Sequence, residues 1–279
     1  MAQVKTLYAL IPKTDLHVGA GGEVAGIIDN LVQRNSTTGF PCINNSSLKG
    51  AVKQHAHNNG MLNIKEIFGS DTSANTGTAQ DDSQQGNTAF GQAELLALAV
   101  PSDKTMFLLL TSEEALNLYL ENLELYGINV TQIRPLIVKI NRAGNILNHG
   151  YAGAYSPLNR PIGANVITIT DTSHESALLK KIFGDHYKRL AIISNQDFIE
   201  LASDFYLPVA AHNAIDDGKS DNLFYTQNLP MQSVFYFINV SKDATEDTIL
   251  TNCICNNGLV HIGAHYSTSQ GFCKITKVA

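Results

Sequence analysis

Between Leu16 and Lys53 the chain sets three kinds of feature in one run: a glycine cluster, Gly19-Ala20-Gly21-Gly22; an acid behind an apolar triplet, Asp29 in Gly26-Ile27-Ile28-Asp29-Asn30; and a helix-opening Ser46-Ser47-Leu48-Lys49-Gly50. These are the parts needed to grip a phosphate backbone and to cut it. The first turn of a helix carries free N–H groups and partial positive charge, so acids are favoured there and a cation costs a few tenths of a kcal/mol, about 0.3 at the surface. Here Ser46 reads as the N-cap, Lys49 lies in the first turn and Lys53 one turn on. A phosphate at the helix start explains that choice, because hydroxyls, N–H groups and Lys49 converge on it. A plain surface lysine on an unoptimised helix is the alternative.

The other candidates carry similar pairs of readings. The glycine cluster lets backbone approach a ligand, or is simply a turn. Asp29, with Gln33 and Arg34 close by, is a metal ligand, a site acid or a loop cap. His17 lies at the end of an apolar strand, where a histidine is more often a hydrogen-bonded structural residue than a catalyst. Near the C-terminus a second glycine-bounded loop, Gly263-Ala264-His265-Tyr266-Ser267-Thr268-Ser269-Gln270-Gly271, offers hydroxyls and glycines suited to a sugar-phosphate chain.

Bulk properties narrow the class. The chain has 279 residues, of which 44% are hydrophobic, enough for a sizeable core. No apolar run reaches the roughly 18 residues of a membrane helix. The opening MAQVKTLYALIPKTD reads as a first strand rather than a signal peptide, and the expected location is cytoplasmic. Cys42, Cys253, Cys255 and Cys273 match no zinc spacing and read as buried free thiols. Formal net charge of −6 counts against a simple basic nucleic-acid binder. Any polyanion must therefore be held by locally placed cations and N–H groups.

Positioning elements follow from periodicity and punctuation. Strands are expected at Val4–Ile11, Ile133–Ile140, Leu190–Ile193 and Val234–Val240, with a hairpin from Ala89–Val100 and Thr105–Leu110. Helices are expected from Ser46 to Asn58, from a Thr111-x-x-Glu114 capping box to Tyr126 with a Leu116, Leu120, Leu123 stripe, from Ser194-x-x-Asp197, and from Asp243-x-x-Glu246 to Gly258. Asp71–Gln85 reads as a mobile polar loop and Asn141–Ile169 as an irregular excursion. Phe205–Ile215 and Leu223–Leu229, around the acidic tip Asp216-Asp217-Gly218-Lys219-Ser220-Asp221, read as a long hairpin. Without strict β-α alternation the class is α+β, in one domain.

The ordered set LHVGAGG, GIIDNLVQR, TGFPCI, SSLKG, Ile67-Phe68-Gly69, Phe90-Gly91-Gln92-Ala93 and LVHIGAHYSTSQGF resembles the RAMP superfamily of CRISPR proteins, and most closely the repeated backbone subunit of type III-B (Cmr) effector complexes. The resemblance implies an RRM-like (ferredoxin-like) core over residues 1–279. Insertions fall near 14–45, 70–88 and 141–189, with a thumb hairpin near 205–229. It implies copies of the chain stacked along a crRNA in a helical filament, with complementary target RNA cleaved at regular intervals. Further partners would be a large polymerase-like subunit and a small helical subunit. The family's catalytic loop aspartate falls on Asp29, which would hold or orient Mg²⁺ or Mn²⁺. RNA contacts fall on Gln33, Arg34, Ser46, Ser47, Lys49, Lys53, Gly263, Ser267, Thr268 and Gly271, and His17 supports the loop. A catalytically silent scaffold and a stand-alone guide-processing endoribonuclease are the alternatives. The C-terminal loop lacks the family's glycine run and Asn-Glu-Thr-like segment, the thumb tip is acidic, and Lys53-Gln54 stands where an arginine is common.

Overall fold

The computed structural model describes residues 3–21, 27–70, 84–102, 105–145, 151–155, 161–166, 173–204, 206–216 and 219–279. In chain order the elements are β1 (Val4–Pro12), β2 (Cys42–Ile43), α1 (Asn45–Asn58), α2 (Ile64–Phe68), β3 (Ala89–Phe90), β4 (Ala93–Pro101), β5 (Phe107–Thr111), α3 (Glu113–Leu125), α4 (Ile133–Asn145), β6 (Tyr151–Tyr155), β7 (Pro161–Val166), α5 (Ser173–Phe183), β8 (Leu190–Ile192), α6 (Asn195–Leu201), β9 (Val209–Asp216), β10 (Lys219–Gln227), β11 (Val234–Ser241), α7 (Ala244–Asn256), β12 (Val260–His261) and β13 (Phe272–Lys277).

One sheet runs β12-β13-β1-β11-β4-β5-β8-β7-β6, with β2 added on β4 and β3 on β11. Its pairs are antiparallel except β5 with β8. The class is α+β, as expected. Helices cover both faces. Tyr8 and Leu10 of β1 join the apolar cluster under α1 and α7, while Leu7, Ala9 and Ile11 join the one under α3, α4 and α5. A strand dry on both faces loses the alternation of a half-exposed one, which is why β1 reads as an unbroken apolar run.

The hairpin β9–β10 pairs as its own two-stranded sheet, matching the long hairpin expected from the sequence. Its acidic tip side chains, Asp216, Asp217 and Asp221, and residues 71–83 of the expected mobile loop lie outside what the structure describes. Ser194 and Asp243 cap α6 and α7: Ser194 Oγ accepts from Asp197 N, and Asp243 Oδ1 from Thr245 N and Glu246 N. Cys42, Cys253 and Cys273 are buried free thiols and Cys255 is half-buried; burial pushes the Cys42 thiol up to about 12.

Several expectations are corrected. Residues 133–140 are helical, within α4. The buried positions Ile133, Leu136, Ile137 and Ile140 follow the i, i+3, i+4, i+7 spacing of a helix, and that stripe outweighs the β-branched content that suggested a strand. The cap of α3 is Ser112, which accepts from Ala115 N, because Thr111 is buried and donates its hydroxyl to Leu96 O. The cap of α1 is Asn44, so Ser46 stands inside the first turn. Part of the supposed excursion after Asn141 forms the end of α4 and the β6–β7 hairpin. No helix among the described residues is long and apolar enough to cross a membrane.

Candidate nucleic-acid interface

After β1 the chain leaves the sheet but stays tied. Leu16 and Leu229 exchange backbone hydrogen bonds at 3.0 and 2.8 Å, and residues 18–20 run beside 31–33 through Gln33 N to Val18 O and Ala20 N to Leu31 O. Just before this second stretch lies Asp29, which is exposed. Asp29 N donates to Tyr225 O at 3.1 Å, and Asp29 Oδ2 accepts from Tyr225 N at 2.7 Å. Gln227 N donates to Asn30 O at 2.9 Å. The acid is thus pinned to β10 of the hairpin, with Oδ1 the oxygen not engaged there.

Two buried glutamines do the joining. Gln33 is 7% exposed. Its Nε2 donates to Gly19 O and Ser47 Oγ, and its Oε1 accepts from Asn44 N at 2.7 Å. Gln227 is fully buried. Its Oε1 accepts from Val32 N, its Nε2 donates to Asp204 O, and its own carbonyl accepts from His17 Nδ1 at 2.7 Å. That last bond places the proton of a neutral His17 on Nδ1. With His17 almost wholly buried, it anchors the loop, the structural one of its two readings.

The structure separates the expected RNA-contact residues into two groups. Gln33, Ser46, Ser47 and Gly263 meet on one groove of about 770 Å³ between α1 and the C-terminal loop, which Gly19 also lines. Ser267 and Thr268 lie exposed on the tip of that loop, where the Thr268 hydroxyl donates to His265 O. Gly263 and Gly271 sit at φ +83° and +78°; an added Cβ would fall 2.1 Å from His17 O and 2.2 Å from Ile262 O, so both serve close backbone packing.

Gln33 reaches that groove with its amide already hydrogen-bonded, and Arg34 and Lys53 have polar atoms engaged inside the protein. Arg34 Nε pairs with Asp204 at 2.7 Å, and its Nη1 donates to Gly39 O and Ala202 O. Lys53 Nζ donates to Gly69 O. Lys49 makes no hydrogen bond or ion pair to the described residues, but it lines a separate hollow of about 550 Å³ that it shares with Asn45 and Ser46. The start of α1 holds no acid in its first turn, so the electrostatic argument for an anion there persists on the Lys49 side of Ser46.

One feature had no signal in the sequence. His265 stacks on His212 with centroids 4.3 Å apart and planes 11° apart; His212 stacks in turn on Phe224, and His17 lies 5.5 Å from His265 on the other side. His212 and Phe224 face each other across the β9–β10 register, which hairpin pairing makes foreseeable. The arrival of His265 from the C-terminal loop is not. Burial, with His212 and His17 alongside, holds the His265 imidazole below its ordinary value. The column joins the hairpin that holds Asp29 to the loop that walls the groove.

Among the described residues no group of three or more His, Cys, Asp or Glu side chains could hold a metal ion. Asp29 supplies one carboxylate, which suits only an ion that takes its remaining ligands from water and a phosphate, as Mg²⁺ commonly does.

The sequence profile of the RAMP superfamily matches residues 10–257. The chain is 25% identical to the CRISPR system Cmr endoribonuclease Cmr4 of Pyrococcus furiosus, over 97% of this chain and 93% of that protein. Among solved structures it is similar to a chain of a type III-B Cmr-β complex bound to cognate target RNA, with a TM-score of 0.72 at 19% identity over 99% and 97% of the two chains. It is also similar to a crystal structure of Cmr4, with a TM-score of 0.63 at 20% identity over 98% of each chain. These likenesses are of fold.

Proposed function

The chain belongs to the RAMP superfamily, and from that premise we propose that it is a crRNA-binding backbone subunit of a type III-B CRISPR effector complex that cleaves complementary target RNA. The relative named a Cmr endoribonuclease and the fold of the target-bound Cmr complex support this. The antiparallel order β13-β1-β11-β4, with α1 and α7 in its crossovers, supports an RRM-like (ferredoxin-like) core. Copies of the chain, and the other subunits of such a complex, are its partners in this reading, and the β9–β10 hairpin is the thumb.

The observation that carries the catalytic part is the exposed Asp29 carboxylate held on the hairpin by Tyr225 N. In the proposed reaction the target's 2′-OH attacks the neighbouring phosphorus, giving a 2′,3′-cyclic phosphate and releasing the 5′-oxygen. Asp29, oriented by its bond to the hairpin, is the residue whose Oδ1 would hold a divalent ion beside that phosphate, and the ion would supply charge stabilisation there when bound. His17 and Gln227 position the loop that carries Asp29.

The test uses the complex assembled with guide and target RNA. Asp29→Asn keeps an acceptor for Tyr225 N but removes the charge. Guide binding is expected to be unchanged and target cleavage to fall by roughly 100-fold or more, the scale of a lost catalytic group. Cleavage at the normal rate would assign the chemistry elsewhere and favour the scaffold alternative.

A further inference from the structure

We propose that the groove between α1 and the C-terminal loop is a nucleobase slot with Tyr266 as its stacking platform. This rests on the RNA-binding reading above and names where one base of that RNA is held. Tyr266 is 65% exposed although its ring is braced from behind, against His261 at 5.0 Å and 89° and Phe272 at 5.5 Å and 50°. Three mutually packed rings fix its orientation without covering it. The backbone does the same. The short turn Tyr266–Thr268 is flanked by His265 at φ 64° and Ser269 at φ 62°, two residues with side chains held in the left-handed region. Such strain persists only where the surroundings enforce it, and it gathers at functional sites. The loop ends are pinned at Gly263 and Gly271, where no Cβ fits.

The walls of the groove differ in chemistry. Leu259, 42% exposed, adds an apolar side chain to the lining that Tyr266 belongs to. One side of α1 contributes Ser47, Gln54 and Asn58, with Gly50 among them. Gln54 Nε2 donates to Asn58 Oδ1 at 2.8 Å. The paired amides therefore keep one carbonyl and one NH₂ group without a partner among the described residues, an acceptor beside a donor, the pattern that reads a base edge. No lysine or arginine among the described residues lines this groove, and Lys49 opens on the neighbouring hollow. A site with an aromatic face, an amide edge and no lysine or arginine, His55 and His261 being its basic side chains, selects a base over a phosphate. Its volume of about 770 Å³ lies within the range of small-ligand sites.

The chain contains no tryptophan, so Tyr266→Trp makes a single reporter. Titrated with single-stranded oligoadenylate, its fluorescence should quench with the same isotherm as binding. Tyr266→Ala should weaken binding about tenfold, the scale of one lost base stack, and Tyr266→Phe should stay within about twofold because the stacking face is kept. Gly50→Leu has open space at its Cβ, so it leaves the fold intact while narrowing the slot, and it too should weaken binding. An abasic ribose-phosphate oligomer of equal length should bind more weakly than oligoadenylate. The base slot is overturned if the reporter stays unquenched while RNA binds, if abasic and base-bearing oligomers bind alike, or if Gly50→Leu and Tyr266→Ala both bind as the parent does. If the parent chain binds no RNA in any form, the underlying reading falls with it. If Tyr266→Ala melts early, the reporter and Gly50→Leu decide.

Discussion

The side chains of β1 pass alternately into two dry apolar clusters, and the strand is held between β11 and β13 by regular ladders. In the segment that follows, from Lys13 to Asn44, the described residues have little regular structure, yet His17, Val18, Val32 and Gln33 are as buried as the core. Beside the apolar contacts of Leu16, Val18 and Val32, it is held by two glutamine amides, one imidazole and one guanidinium, each reaching a backbone group outside its own turn. Apolar packing is tolerant of small shifts and indifferent to direction. Amide hydrogen bonds are directional, so they can aim a loop at a ligand, but each one lost leaves a buried group unpaired. The sheet supplies stability, and the polar segment supplies position.

Deleting one element of each region sharpens this contrast. In the sheet, Phe237 is almost wholly buried and stacks on Tyr8 at 5.0 Å. Phe237→Ala should cost about 3–5 kcal/mol of global stability, read as a lower urea midpoint, with hydrogen exchange faster throughout the core. A midpoint within error of the parent would mean that the sheet is not where stability resides. In the loop, Gln33→Ala should cost less, about 1–3 kcal/mol, and its effect should be local. Exchange should quicken at the Ala20 and Asn44 amides, and RNA affinity should fall as Gly19 and Ser47 lose their tether, while core amides stay protected. Uniform loss of protection would erase the distinction between the regions.

The smallest effect is expected on acidification. His265 has its folded pKa below its ordinary value of 6.5, so below that pH the unfolded chain takes up the proton first. The stability contribution is therefore complete above about pH 6.5 and declines as pH falls through the folded value, levelling off once both states are charged. The groups facing the ring are His212 and His17, with Phe224 behind His212. His55 and His186 are shifted the same way, so the comparison must be between variants. His212→Phe keeps a stacking ring and removes one of the two neighbouring imidazoles. The drop in melting temperature between pH 7 and pH 5 should be smaller in it than in the parent. An identical drop would locate the acid sensitivity outside the clasp between hairpin and loop.

Much of the framework could be read from local pattern. The caps at Ser194 and Asp243, the buried stripe of Leu116, Leu120 and Leu123, and the hairpin around residues 217–218 all rest on interactions within a few residues, and the structure has them. Errors came where two local signals competed. The isoleucines of α4 favour strand by type and helix by spacing. The cap expected at Thr111 falls to Ser112 because Thr111 is buried and bonded to β4. At the site, residue type singled out Gln33, Arg34, Ser46, Ser47, Lys53 and the C-terminal glycines alike, without distinguishing the polar groups that the protein itself engages, such as those of Arg34 and Lys53. Nothing near them in sequence announces Asp204, Gly69 or the carbonyls they serve.

From residue order alone came the periods, the caps, the turn residues and the pairing of cation with hydroxyl at the start of α1, because each depends on neighbours within about one helical turn. Tertiary structure decided which polar groups face solvent and which are enclosed, and that decision made Asp29 an exposed acid while it made Gln33 and Arg34 internal braces. The reason is that a hydrogen bond between residues such as His17 and Gln227, or Arg34 and Ala202, exists only after the sheet has brought distant backbone together.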